Sequence, residues 1–451
     1  MPRAEIGRYA SAQRGRTGAF VAGQFVGLLS TAASAILNPI VVLPALIIGF
    51  TESWYLIALP VVLAGLLWGV GAGIGGLSAG RERPVIWAIA GNIVRLLVVI
   101  ALAFVVDRSE QYSDDAMLRA LFVCFGIYVV GSGLASQAGV SVATRMIPAG
   151  RRTSYFASRT VLGALAAIAV ALVAAAIFAD DSIVFPAQYA VLFVIAAACL
   201  AVATYFQSTI RSPANVTVPS RPIATAATRP GRGLITYVGF RWFLAASALA
   251  DPFLIVYALR DLSASPAVIG LYVAALVACR LLSEPMWTRL ARRGRIRAGL
   301  QAVAVIRLLV PVLALTLPQL YEATVWTDRV TDPDTRGWVF ALVFALIGIA
   351  QGGQARLNLP YLTEIEARHG AIARPLTNGI VAIAALAPLA GAWVYTRWGF
   401  DETLLSAGGV ALLGVLLSGA LVVSSGVARP VGNSWQFRRQ REAVSLTGRR
   451  D

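Results

Sequence analysis

The sequence contains no lysine: its 38 basic residues are all arginine. Histidine occurs once, as His369, and cysteine three times, as Cys124, Cys199 and Cys279. The cysteines stand far apart inside apolar runs, a spacing that suggests neither a disulfide framework nor a zinc site. His369 has Glu364, Glu366 and Arg368 near it, and a solvated loop is expected there rather than a metal site. No Ser-His-Asp set, no HExxH and no P-loop is found, so neither an enzyme nor an ATP-driven pump is supported, and no cofactor is implied. Charge of both signs is scarce. Only 13% of residues are charged and 58% are hydrophobic, where soluble domains have about 25% and about 45–50%.

What fills the chain is apolar sequence in long runs, with a mean hydropathy of +0.74. Twelve runs are predicted to be membrane-spanning helices, at residues 19–48, 52–78, 84–106, 116–144, 159–179, 186–208, 234–259, 265–288, 298–318, 337–360, 375–396 and 403–425. Each is long enough to cross about 30 Å of hydrocarbon at about 1.5 Å per residue. The first apolar stretch far exceeds the roughly 7–15 residues of a signal-peptide core, so it is expected to be a retained helix. The predicted organisation is an N-tail (1–18), a six-helix half (19–208), a linker (209–233), a second six-helix half (234–425) and a C-tail (426–451). The linker is rich in Ser, Thr, Pro and Arg and has no apolar period. Its Asn215-Val216-Thr217 fits a glycosylation pattern but would face the cytoplasm. The segment 319–336, with Glu322, Asp328, Asp332 and Asp334, is expected to be a solvated outer loop.

Arginine placement sets the orientation. Only Arg108, Arg119, Arg260, Arg329, Arg336 and Arg397 fall in the connections on one side; most others fall in the tails and the connections on the opposite side. By the positive-inside rule both tails are cytoplasmic. The net charge of +16 is read as this orientation signal. No basic domain or aromatic-basic face is present, so nucleic acid is not an expected partner. Richness in alanine and arginine without lysine suggests a high-GC bacterial genome, which makes the expected location the bacterial cytoplasmic (inner) membrane.

The two halves repeat. Ala-Ser-Ala-Ile-Leu-Asn-Pro at 33–39 returns as Ala-Ser-Ala-Leu-Ala-Asp-Pro at 246–252, with Asn38 at the place of Asp251 and Pro39 at the place of Pro252. Residues 93–98 (Ile-Val-Arg-Leu-Leu-Val) match 305–310 (Val-Ile-Arg-Leu-Leu-Val), and Arg81 and Arg83 match Arg293 and Arg295 at the same offset. Such parallel six-helix repeats carry their site near the midplane between halves. The segment Ser283-Glu284-Pro285-Met286-Trp287-Thr288-Arg289-Leu290-Ala291-Arg292-Arg293-Gly294-Arg295, and its first-half equivalent Gly75 to Arg83, are similar to the G-x-L-a-D-r-x-G-r-r loop of the major facilitator superfamily. The resemblance covers nearly the whole chain. It implies an all-α integral membrane protein with twelve transmembrane helices in two pseudo-symmetric six-helix bundles, gate loops at Arg81, Arg83, Arg292, Arg293 and Arg295, and a small-molecule substrate. Both copies depart from the pattern: Ala79 and Ala291 stand where the family has aspartate. Glu82 or Glu284 is the nearest acid that would substitute. The fifth run, with only Gly163 and no proline between Thr160 and Phe178, lacks the Gly-Pro-rich pattern of the family's drug–proton antiporters.

A charge near the bilayer centre costs about 2.5–3.5 kcal/mol on insertion scales, so it needs a partner or a wet cavity. The embedded charges are Arg95, Arg241, Asp251, Arg280, Glu284, Arg307 and Arg356. Arg95 and Arg307 are repeat equivalents on helices that are peripheral in the resembled family, and are expected to serve the scaffold. Arg241, Arg280 and Asp251 align with Leu28, Trp68 and Asn38; such asymmetric charges suit a substrate pathway, although Arg280 also has the option of snorkelling. Asp251 and Arg241 are ten residues apart, about 15 Å along a helix and on different faces. Asp251 therefore needs a partner on another helix, water or a proton, or it bonds a backbone group freed by Pro252. As the one acid deep in a span it is the candidate proton carrier. The resemblance adds Gln24 and Asn38 on the first helix, Gln137 on the fourth and Gln351, Gln354 and Arg356 on the tenth as candidate cavity residues; each alone also suits a helix–helix hydrogen bond. Gly65, Gly69, Gly73, Gly76 and Gly80 form a small-residue stripe expected to pack closely against a neighbouring helix.

Three functional readings follow: a secondary-active transporter of a small solute, with protons as candidate coupling ion; a transporter-fold membrane sensor or assembly partner that no longer transports; and a lipid flippase.

Overall fold

A computed structural model describes residues 3–79, 84–210, 231–322, 333–370 and 372–421. All regular structure among them is helical. Lipid offers backbone groups no hydrogen-bond partner, so a chain this apolar must satisfy them within helices. Twelve helices are long and apolar enough to cross a membrane: Gly18–Ile36, Trp54–Leu77, Pro84–Asp107, Asp114–Met146, Ala149–Phe178, Ala187–Thr209, Arg232–Arg260, Val268–Arg292, Ile296–Tyr321, Thr335–His369, Ala373–Trp398 and Phe400–Gly419. They are referred to below as the first to twelfth spans.

Their packing order repeats. In one half the second span packs on the fourth, the third on the fourth and sixth, and the first on the fifth and sixth. In the other half the eighth packs on the tenth, the ninth on the tenth and twelfth, and the seventh on the eleventh and twelfth. The main contacts between halves are equivalent too: fifth against eighth, and second against eleventh.

Several ends differ from the apolar runs. The first span stops at Ile36 rather than running to 48, because Asn38 and Pro39 turn the chain. Asn38 Oδ1 accepts the N–H groups of Ile40 (2.9 Å) and Val41 (3.1 Å), an Asx turn that leads into the short helix Val42–Ile47. The equivalent point of the seventh span is a 3-10 stretch, Ser247–Ala250, before the helix Asp251–Arg260. The fifth span begins at Ala149, ten residues before the apolar run, directly after Pro148. Arg152 Nε donates to Ile147 O (2.9 Å) and its Nη2 to Thr144 O, closing the end of the fourth span. The expected loop around His369 is instead the end of the tenth span, where Arg368 pairs with Glu364 (2.7 Å) and Arg374 with Glu366 (2.7 Å). Hydropathy misses both extensions because their residues are polar.

Burial differs between the two ends of the bundle. At one end a single core joins both halves, with Leu43, Phe125 and Phe193 alongside Phe253, Tyr272 and Phe344. At the end carrying the first residues of the first and seventh spans, the cores are separate. One holds only second-half residues such as Tyr237, Phe240, Trp287 and Tyr361; the others hold only first-half residues such as Ala22, Val142 and Tyr155. The end with the separate cores is called the tail end and its opposite the far end. At the far end Trp54 of the second span stacks on Tyr395 of the eleventh, centroids 3.7 Å apart, and meets Phe253 edge-on. Arg260 lies over Trp54 at 5.8 Å and donates to Ile48 O (3.2 Å).

The glycine stripe behaves differently from the expectation. Gly65 meets Ala385 of the other half, but a methyl on Gly69, Gly73 or Gly76 would touch nothing within 4 Å, and Gly80 lies outside the described residues. The 4-4-3 spacing tracks the face turned toward the other half, and that face is open where the halves part. Close packing on this helix is made one face away. Gly71 abuts the Val130 carbonyl, and Gly133 of the fourth span abuts the backbone of Trp68 and Ala72. A Cβ at Gly133 would stand 2.7 Å from Ala72 N, and backbone cannot move aside as a side chain can. Gly133→Val is therefore expected to destabilise the folded protein by about 1–3 kcal/mol, read as a lower unfolding midpoint in detergent, while Gly73→Ala leaves the midpoint unchanged.

Candidate functional site

The break in the seventh span places Asp251 at the start of a helix, 4% exposed. Its partner is Arg307 of the ninth span, whose Nη2 donates to Asp251 Oδ1. The same guanidinium donates from Nε to Ser247 Oγ (3.0 Å) and from Nη2 to Ser247 O (3.1 Å). Arg307 is 5% exposed, so both charges are out of solvent and each is the other's counter-ion. The sequence gives no direct indication of this pairing. The only signal is the repeat itself, which sets Arg307 and Asp251 in the same half at equivalent points to Arg95 and Asn38.

The first half repeats the arrangement without the acid. Arg95 is 4% exposed. Its Nη2 reaches Ser34 Oγ (3.3 Å), Ser30 O (3.4 Å) and Tyr128 Oη (3.1 Å), and Nη1 reaches Asn92 Oδ1 (3.2 Å). Ser34 is the repeat equivalent of Ser247, so each arginine crosses to the same serine of its half. Asn38, at the place of Asp251, has turned its side chain to its own backbone. Among the described residues every hydrogen-bond acceptor of Arg95 is neutral, and its Nε is buried without one.

Arg95 borders a cavity of about 250 Å³ whose wall also carries Ser30, Asn92, Ser132, Gln207 and Arg159. A second cavity, of about 460 Å³, lies between the halves. Thr31, Ser136 and Arg159 wall it on the first-half side, and Arg280, Glu284 and Arg356 on the second. The two share Thr31, Ser136 and Arg159, so they adjoin across these residues. Arg356 Nε stands 3.8 Å from Glu284 Oε1, with both side chains partly exposed. Arg159 comes into this wall because the fifth span extends to Ala149; the apolar pattern puts it at the helix edge. Its side chain packs over Gly27, where a methyl would collide with it.

The other candidate residues are dispersed. Arg280 and Arg356 line the central cavity. Arg241 is half-buried on the seventh span, and its Nε has no hydrogen-bond partner among the described residues. Gln24 spends its amide nitrogen on Tyr155 O (3.1 Å) and Ser158 Oγ (2.8 Å) of the fifth span, a helix–helix bond. Gln137 packs against Gly75 of the second span. Gln351 and Gln354 are half-buried on the tenth span, one turn before Arg356. Of the gate loops, Arg81 and Arg83 lie outside the described residues, as does Glu82. Arg292, Arg293 and Arg295 are exposed around a turn in which Gly294 has φ +69° and the Arg295 N–H returns to Leu290 O (3.0 Å). The glycine of the resembled loop thus sits where a left-handed residue is needed.

No family model and no curated protein matches the chain. Solved structures do. A POT family transporter in complex with 5-aminolevulinic acid superposes with a TM-score of 0.66 at 12% identity, over 90% of this chain and 96% of its own. A bacterial homolog of the human lysosomal transporter Spinster, inward-facing and unoccupied, gives 0.65 at 12% identity, over 90% and 98%. A D-xylose–proton symporter gives 0.58 at 16% identity, over 90% and 97%. The chain has the major facilitator fold.

Removing one member of a buried ion pair leaves an uncompensated charge and costs about 3–5 kcal/mol, whereas replacing both by apolar groups is often neutral. Asp251→Leu is therefore expected to lower the unfolding midpoint strongly, and the double variant Asp251→Leu/Arg307→Leu to recover most of the loss in the same thermal measurement.

Proposed function

We propose that the protein is a secondary-active transporter that carries a small solute across a bacterial cytoplasmic membrane by alternating access, with the proton as coupling ion. The observation that carries this is the unequal closure of the bundle. One core welds both halves at the far end, while at the tail end the cores of the two halves are separate and a cavity lined by arginines lies between the halves. A rigid bundle built for support would bury its apolar faces equally at both ends. The arginine-rich tail end is assigned to the cytoplasm on the positive-inside rule, and on that assignment the opening is an inward-facing one. The symporter and the POT transporter of like fold support solute movement as the activity.

Asp251 is the proton-carrying residue in this proposal. A proton added to its carboxylate removes the charge that holds Arg307 and leaves the guanidinium on Ser247 alone. Because Ser247 and Asp251 flank the irregular turn of the seventh span, loss of the pair frees that turn to change shape. Coupling then has a physical route from protonation to helix geometry.

One observation favours a second reading, a membrane sensor without transport. Glu284, the described acid nearest the gate motif's missing aspartate at Ala291, pairs with Arg356 in the cavity wall, while the arginines of that loop are solvent-exposed. Reconstituted vesicles with an imposed pH gradient decide between the readings. The wild type is expected to accumulate solute from a defined metabolite mixture only with the gradient present. Asp251→Asn is expected to keep solute exchange at equal concentrations and to lose accumulation against a gradient. Accumulation by Asp251→Asn equal to wild type removes the proton role; absence of any solute movement leaves the sensor reading.

The far-end seal gives a further expectation. Aromatic pairs contribute about 0.5–1.5 kcal/mol beyond their buried area. Trp54→Ala is expected to shift the inward-open to outward-open ratio by up to about tenfold, read as a new population of longer distances between spin labels at the far ends of the second and eleventh spans.

A further inference from the structure

The repeat places two arginines in equivalent settings and neutralises only one. Arg307 has Asp251; Arg95 has the serine, the tyrosine and the asparagine around it and no carboxylate among the described residues. A buried guanidinium held only by neutral groups is short of a counter-charge. It borders the smaller of two adjoining cavities; Arg159 lines both, Arg280 and Arg356 line the larger, and Glu284 is the one acid among the described residues of the two walls. With every group ionised the two walls carry a net charge of +3, from Arg95, Arg159, Arg280 and Arg356 against Glu284. In a low-dielectric setting that charge attracts anions and repels cations far more strongly than in water.

We propose that the transported solute is a small organic anion, and that its carboxylate or phosphate group occupies the cavity bordered by Arg95 and Arg159. There it supplies the negative charge that Asp251 supplies to Arg307 in the other half. Guanidinium N–H donors match the planar oxygens of a carboxylate and the oxygens of a phosphate alike; on Arg95 the anion would take the place of present neutral acceptors. Ser30, Ser132, Asn92 and Gln207 add neutral hydrogen-bonding groups for the rest of the solute. The central cavity of about 460 Å³ suits a metabolite-sized molecule. Glu284 pairs with Arg356 on the same second-half wall, which leaves Arg280 as the arginine of that wall without an ion-pair partner among the described residues. This inference rests on the transport reading for the word solute; the charge preference of the cavity does not depend on it.

The test begins with Ser136→Cys, at a position shared by both cavities, in the full-length protein with Cys124, Cys199 and Cys279 changed to alanine. Modification rates are compared for a negatively charged sulfonatoethyl methanethiosulfonate and a positively charged trimethylammonioethyl methanethiosulfonate, each corrected for its rate with a free thiol. The anionic reagent is expected to react about tenfold faster or more, and Arg95→Gln or Arg159→Gln to reduce the preference severalfold. Arg159 is only half-buried, so its variant remains informative where Arg95→Gln fails to fold. Equal rates, or a faster cationic reagent, overturn the proposal.

A second arm loads vesicles containing the protein from a mixture of carboxylates, phosphate esters, neutral sugars and nucleosides, and amines, with the accumulated compounds identified by mass spectrometry. Accumulation of carboxylates or of phosphate esters, lost in Arg159→Gln, supports the proposal and tells the two anion classes apart. Accumulation of a neutral or cationic compound overturns it and leaves transport standing. If nothing accumulates, the transport reading fails, and the reagent preference still decides whether the cavity selects anions.

Discussion

A charge inside hydrocarbon must be neutralised, and the architecture of this protein turns on how that is done for two arginines. Arg307 is neutralised within the protein, by Asp251 on a neighbouring span. The pair is fully buried, and it ties the ninth span to the point where the seventh span departs from α-helical geometry. Proline at 252 cannot donate a backbone hydrogen bond, so the turn is irregular by construction. The ion pair then holds that irregular turn in one shape.

The two halves share a scaffold and differ in chemistry. Ser34 and Ser247 receive equivalent arginines, and the helices around them pack in the same order. Where the second half has Asp251, the first has Asn38, whose amide oxygen caps its own turn. One atom exchange in a side chain changes an ion pair into a bend and leaves Arg95 facing a polar cavity. Symmetric packing thus surrounds two sites of unlike charge.

The same division appears along the bundle axis. At the far end, Trp54, Phe253 and Tyr395 close the halves on each other. At the tail end, the open glycine face of the second span and the arginines of the cavity wall stand apart. Gly69, Gly73 and Gly76 offer a smooth surface with nothing to unlock, which suits two bodies that come together and separate. A single core is shared by both halves at one end, and separate cores stand at the other.

Hydropathy alone determined the class and the number of spans, because these depend only on how many consecutive residues prefer lipid, and arginine placement set the predicted sidedness. The offset between Asn38 and Asp251 was equally legible, since a duplicated gene leaves a constant spacing. Which side chains meet was decided by the tertiary structure. Each residue turns a helix by about 100°, so a partner on another helix depends on the rotation and depth of both, which local pattern does not encode. For this reason Arg307 reads as scaffold in sequence and stands in the structure as the counter-ion of Asp251. Arg159 was hidden for a related reason: the fifth span extends into polar sequence, where hydropathy no longer reports a helix. Gln24 and Gln137 carry the same amide chemistry as a ligand contact and differ from one only in the neighbour they face. That no described residue gives Arg95 a counter-charge is likewise a tertiary fact, since it depends on what the surrounding helices present to one buried guanidinium.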